Sequence, residues 1–142
     1  ITQLNKLINL YKRHNNKEKQ IEKYELIISI ANTDELRAKY IFDLVKLYYT
    51  EQDFQKAEEK ANNLITTAKN SKFSLFVLYY LAKIQEKQQQ YQQAVAYYDQ
   101  YIVDYEQKLS EKIITENDIF VSEHPIDSVI VEKENAAQKI SN

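Results

Sequence analysis

The residues able to do chemistry in this sequence are few, and their spacing assembles no working constellation. The two histidines, His14 and His124, are separated by most of the chain. A zinc site draws its histidines from short, regular spacings, and no His-x-x-x-His or Glu-x-x-His occurs. The absence of cysteine removes thiolate nucleophiles, thiolate metal sites and any disulfide framework. Phosphate-cradling loops, dinucleotide fingerprints and the nucleophile elbow all require glycine, and the sequence has none. His14, beside Asn15 and Asn16 at a predicted turn, reads as a solvated residue. His124 precedes Pro125, and a residue before proline avoids helix, so an extended segment is expected there. Glu58, Glu59 and Asp118 read as carboxylates on solvated helix faces or ends. No catalytic residue, cofactor or metal is assigned, and the chain is expected not to be an enzyme.

What remains is recognition, carried by twelve tyrosines, five phenylalanines and 19 lysines and arginines. The net charge of −2 argues against nucleic acid as the partner. Its distribution is uneven. Residues 1–108 hold 16 Lys and Arg against 14 Asp and Glu, whereas residues 109–142 hold 3 against 7. No apolar run approaches the ~18 residues of a membrane span. The chain opens on Ile1 rather than methionine, as expected of a fragment, and the expected compartment is the cytoplasm.

The elements that position these residues are expected to be helices. An average chain of this length carries roughly ten glycines. Hairpin turns in sheets take most of their positive-φ residues from glycine. A chain without glycine and with the single proline Pro125 points to helices joined by short polar turns. Ile41, Leu44, Val45 and Tyr48 form an i, i+3, i+4, i+7 stripe, as do Phe54, Ala57, Ala61, Leu64 and Ile65 after the turn 50–53. Asp53 is a suitable N-cap for the second of these helices. Asn32-Thr33-Asp34 and Asn70-Ser71 are stop-and-cap signals between hairpins. The glutamine tract 85–93 falls on a hairpin turn and reads as a polar turn with glutamine-rich flanks.

The stripes recur at an offset of 37 residues. Leu44, Val45, Phe54, Ala57 and Ala61 align with Leu81, Ala82, Tyr91, Ala94 and Tyr98, and more weakly with Leu7, Ile8, Lys17, Gln20 and Tyr24. A hairpin of this kind cannot bury its stripe alone, so neighbouring hairpins must stack.

This pattern resembles the tetratricopeptide repeat. Ile41, Leu44, Tyr48, Phe54, Ala57 and Ala61 fill its signature positions in the second unit, and Leu78, Leu81, Ala82, Tyr91 and Ala94 in the third. The departures are a period of 37 rather than 34, Gln52 and Gln89 at the turn glycine, and no closing proline. The resemblance implies an all-α, right-handed superhelical array of antiparallel hairpins over residues 1–110, with repeats at about 1–34, 38–71 and 75–108. Residues 111–142 would follow as the end of a capping helix and an acidic connector or tail.

It also implies a protein–protein interaction module, a non-catalytic scaffold or adaptor, with its ligand in a concave groove lined by the first helix of each hairpin. The positions facing that groove are Asn5, Asn9, Lys12 and Arg13, then Lys39, Phe42, Lys46 and Tyr49, then Phe76, Tyr79, Lys83 and Glu86. Five bases and four aromatics suit a peptide or protein with acidic and apolar side chains. The carboxylate clamp of some family members is not matched, since Asn5, Asp43 and Tyr80 stand where a base, an asparagine and a base would be required. The alternative reading is the sensory segment of a bacterial signalling protein or transcription regulator whose output domain lies outside this fragment. Self-association through the open end of the stack or through the tail is a further expectation.

In the tail, Ile119-Phe120-Val121 is β-like, and Ile126, Val129, Ile130, Ala137 and Ile140 form a short amphipathic stripe. The acidic tail with its apolar anchors is expected either to fray, to act as a connector, or to dock in the basic groove.

Overall fold

The computed structural model describes residues 1–140. Among them the chain is all-helical, with no strand: α1 (Thr2–Arg13), α2 (Lys17–Ile30), α3 (Asp34–Thr50), α4 (Phe54–Thr67), α5 (Lys72–Lys87), α6 (Tyr91–Ser110), α7 (Ile119–Glu123) and α8 (Ile126–Gln138).

The helix starts follow from side-chain caps. Asn16, Thr33, Asp53 and Ser71 accept hydrogen bonds from the backbone N–H groups of Lys19, Leu36, Lys56 and Phe73, which satisfies donors the first turn leaves free. The cap signals at 32–34 and 70–71 therefore operate, and α3 begins at Asp34, ahead of the expected repeat boundary at 38.

The turns inside the hairpins repeat one geometry. Asn15, Gln52 and Gln89 have φ of 53°, 62° and 61°. Just beyond each, the N–H of Asn16, Asp53 and Gln90 donates to the carbonyl of Tyr11, Tyr48 and Gln85 at 2.8, 2.9 and 2.8 Å. These are Schellman closures, with a side chain where glycine is usual. The burial pattern recurs at the same offset. Ile8, Val45 and Ala82 are buried, as are Gln20, Ala57 and Ala94, then Tyr24, Ala61 and Tyr98, then Ile27, Leu64 and Tyr101.

From α1 to α6 each helix packs on the next, and α3 also packs on α5 and α6 on α8. Of the signature residues, Leu44, Tyr48, Ala57, Ala61, Leu81, Ala82 and Ala94 are buried. Phe54 and Tyr91 are only half-buried: Phe54 packs on Tyr49, and Tyr91 lies beneath Lys139 from the end of α8.

The C-terminal segment departs from two expectations. The capping helix expected to extend past residue 110 stops at Ser110, where Lys112 takes φ 62° and the Ile113 N–H closes on the Lys108 carbonyl. Ile119–Val121 is helical rather than β-like. Phe120 and Val121, adjacent in sequence, are both buried while Ile119 is 76% exposed. A strand would send neighbouring side chains to opposite faces, whereas a helix turns both toward one surface. The segment is also neither frayed nor projecting outward, because Ile114, Phe120, Val121, Val129 and Ala136 join the same apolar cluster as α3, α5 and α6.

Candidate functional site

The helices α3 and α5 lie side by side, and α7 closes over the space between them. The residues present a cavity of about 430 Å³. From α3 come Lys39, Phe42, Asp43 and Lys46, and from α5 come Lys72, Phe73, Phe76 and Tyr80. Residues 117–120, Glu123 and His124 form the remaining wall.

Aromatic rings build its floor. The Phe42 centroid lies 5.5 Å from Phe73, 5.8 Å from Phe76, 5.9 Å from Tyr80 and 5.9 Å from Phe120. Phe120 stacks on Phe76 at 4.4 Å with an interplanar angle of 22°. Such pairs contribute about 0.5–1.5 kcal/mol beyond the area they bury.

Lysines form the rim. Lys46 sits 4.6 Å above the Phe42 ring and Lys72 5.5 Å from Phe73. Asp43 lies between Lys39 at 3.5 Å and Lys46 at 3.4 Å. Lys72 pairs with Asp118 at 3.0 Å. The other oxygen of Asp118 accepts the Thr115 N–H at 2.8 Å. Burial raises the Asp118 pKa, but the Thr115 amide and the Lys72 ammonium outweigh it and hold the carboxyl below its ordinary value. Asp118 is thus held by Lys72 and the Thr115 amide, not the solvated carboxylate its sequence context implied.

Next to the cavity, α8 supplies a carboxylate to the α5 face. Glu132 pairs with Lys83 at 2.6 Å and accepts from the hydroxyls of Tyr79 at 3.1 Å and Tyr98 at 3.4 Å. Burial, the hydrogen bond to Glu132 and its charge push the Tyr79 phenol far above its usual range. Tyr98 rises through burial and the nearby charges of Glu86 and Glu132.

His124 is not in an open, extended stretch. It closes α7 with its ring 4.5 Å from both Tyr79 and Phe120. Burial lowers its pKa, assisted by Lys83 and opposed by Glu132 and Glu123. His14 is exposed at the end of α1, as expected.

The structure does not bring all the expected groove residues together. Lys39, Phe42, Lys46 and Phe76 share the cavity. Phe42, Phe76 and Tyr79 are buried rather than displayed in an open groove, because α7 and α8 cover them. Lys83 is engaged by Glu132 and Glu86, and Tyr49 packs half-buried against Phe54 and Tyr80. Lys12 lines a separate depression of about 300 Å³ with Lys46 and Tyr24. Asn9 and Arg13 are exposed and stand outside both cavities. Asn5 pairs with the Tyr40 hydroxyl instead, at 2.8 and 3.0 Å.

Sequence reasoning missed Asp43, Lys72, Phe73 and Tyr80 as site residues. For Phe73 and Tyr80 the signal was present: with Phe76 and Lys83 they fall on one face of a helix.

Among the described residues no cluster of His, Asp or Glu is arranged to hold a metal ion, and no helix is long and apolar enough to cross a membrane. Comparison with models of known families, with curated proteins and with solved structures gives no match.

Proposed function

We propose that this chain is a non-catalytic, tetratricopeptide-like interaction module that holds a peptide or protein partner on the face made by the first helices of its hairpins. The observation that carries this reading is the cavity between α3 and α5, where the rings of Phe42, Phe73, Phe76 and Tyr80 are rimmed by Lys39, Lys46 and Lys72. Rings with ammonium groups held over them favour a ligand that brings both apolar and acidic side chains. The recurrence of turn geometry and burial every 37 residues supports the repeat-array architecture on which the reading depends.

A displayed library of random peptides panned against the chain tests it. Enriched sequences are expected to combine acidic and aromatic residues, and to bind the Lys39→Glu, Lys46→Glu double variant at least tenfold more weakly. Both side chains are about half exposed, and the circular dichroism spectrum of the double variant, compared with that of the unmodified chain, checks that it folds. Failure to enrich any sequence, or indifference of the enriched peptides to charge reversal, would overturn the reading.

A further inference from the structure

We propose that α7 is a built-in occupant of this cavity, and that the partner displacing it carries an acidic residue followed two positions later by phenylalanine. The proposal rests on the interaction-module reading and names the ligand class of that same site.

Residues 118–120 engage the cavity as a short peptide ligand would. One acid, Asp118, meets Lys72 at 3.0 Å, and one ring, Phe120, stacks on Phe76 at 4.4 Å and touches the edge of Phe42 at 5.9 Å. Of the five residues of α7, only Phe120 and Val121 are buried, and Ile119, Ser122 and Glu123 are exposed. These two side chains hold α7 down, Phe120 meeting Tyr79, Tyr80 and Tyr101 as well, and a five-residue helix fixed by two side chains opens at less cost than the whole molecule.

Its neighbours hold independently of it. On one side α6 is closed by its own Schellman turn at Lys112. On the other, α8 is anchored by buried Val129 and Ala136, by Glu132 on Lys83, and by Lys133 on Asp99. Release of α7 therefore leaves the rest of the molecule assembled.

Charge selects what replaces it. The α3 and α5 walls carry three lysines, Lys39, Lys46 and Lys72, against the single Asp43, while the 117–124 segment brings Asp118 and Glu123. With α7 in place the lining charges balance; without it an excess of two positive charges is exposed beside four rings. An incoming segment must restore both an acid and a ring. A space of about 430 Å³ remains beside Phe120, so an incoming ligand can make contacts that α7 does not.

A tethered occupant has an effective concentration up to the millimolar range, and the apparent affinity for a competitor falls with the fraction of open molecules. The test uses the full chain and a fluorescein-labelled peptide of residues 115–124, with anisotropy as the readout. The peptide is expected to bind the Phe120→Ala chain at least tenfold more tightly than the unmodified chain. It is also expected to lose that binding when it carries Asp118→Asn or Phe120→Ala itself. An Asp118→Asn chain, which keeps the buried ring, shows a gain in the same direction and decides the matter if Phe120→Ala fails to fold.

Equal binding by all three chains, or undiminished binding of the substituted peptides, overturns the proposal. If panned peptides bind the unmodified chain while residues 115–124 bind no chain, the occupant is refuted and the interaction module stands. If nothing binds even the Phe120→Ala chain, both fail.

Discussion

Phe120 of α7 lies stacked on Phe76 of α5, ring centroids 4.4 Å apart, and this contact ties the C-terminal segment to the face between α3 and α5. The two partners are not equivalent. Both rings belong to the main apolar cluster and both meet Phe42, but Phe76 is carried by the 16-residue α5 and Phe120 by a five-residue helix.

Truncation of the two rings separates global from local stability. Phe76→Ala should cost about 3–5 kcal/mol, read as a lowered denaturation midpoint by circular dichroism. Phe120→Ala should move that midpoint much less and instead accelerate amide hydrogen exchange across 117–124. Equal midpoint losses would show that α7 opens only with the whole molecule.

Ala94 has no exposed surface where α6 meets its neighbours, and Ala57 has none in α4. Ala94→Leu should overpack this contact and cost about 1–3 kcal/mol by urea denaturation. An unchanged midpoint would contradict the close helix approach seen there.

The positive-φ turns offer a stabilising change. A non-glycine residue in the left-handed region costs roughly 1–2 kcal/mol, partly offset in a glycine variant by the entropy of a freer unfolded chain. Gln52→Gly and Gln89→Gly should each stabilise by about 1 kcal/mol. Gln88→Gly, one residue earlier at φ −94°, should destabilise. Thermal melts of the three variants discriminate, and the same sign for Gln88 and Gln89 would refute the turn geometry.

Acidification should loosen α7. The His124 ring is packed between Tyr79 and Phe120, with Glu123, Glu132 and Lys83 nearby, and its pKa in the folded chain is depressed. The open state then binds the proton more readily, so docking weakens as pH falls below the ordinary histidine value of about 6.5. Asp118 is depressed too, and its stabilisation is lost only at lower pH, below the ordinary carboxylate range. Exchange of amides 117–124, corrected for intrinsic rates, should rise between pH 7 and 5, and His124→Phe should abolish the rise. A His124 pKa above 6.5 by NMR would reverse the argument.

Alkaline pH should act on the tyrosines. Tyr24 is pushed up to about 12 by burial, and Tyr79, Tyr98 and Tyr101 are raised further. The unfolded chain loses these protons first, so stability should fall as pH rises past about 10. Absorbance titration should show exposed tyrosines ionising near pH 10 and the buried ones only with unfolding.

The hairpins were legible in the sequence because helix signals are local. Period, caps and polar turns each depend on residues within a few positions, and Thr33, Asp53 and Ser71 act as their types imply. The identity of the groove-facing rings Phe42 and Phe76 was legible for the same reason, since helical spacing sorts side chains by face. The state of those rings was not. Whether they are open or covered depends on contacts between residues as distant in sequence as Lys72 and Asp118, or Tyr79 and Glu132. The β-like composition of Ile119–Val121 was overridden in the same way. Burying Phe120 and Val121 together on one aromatic surface favours a helical turn, and that surface exists only once α3 and α5 have packed.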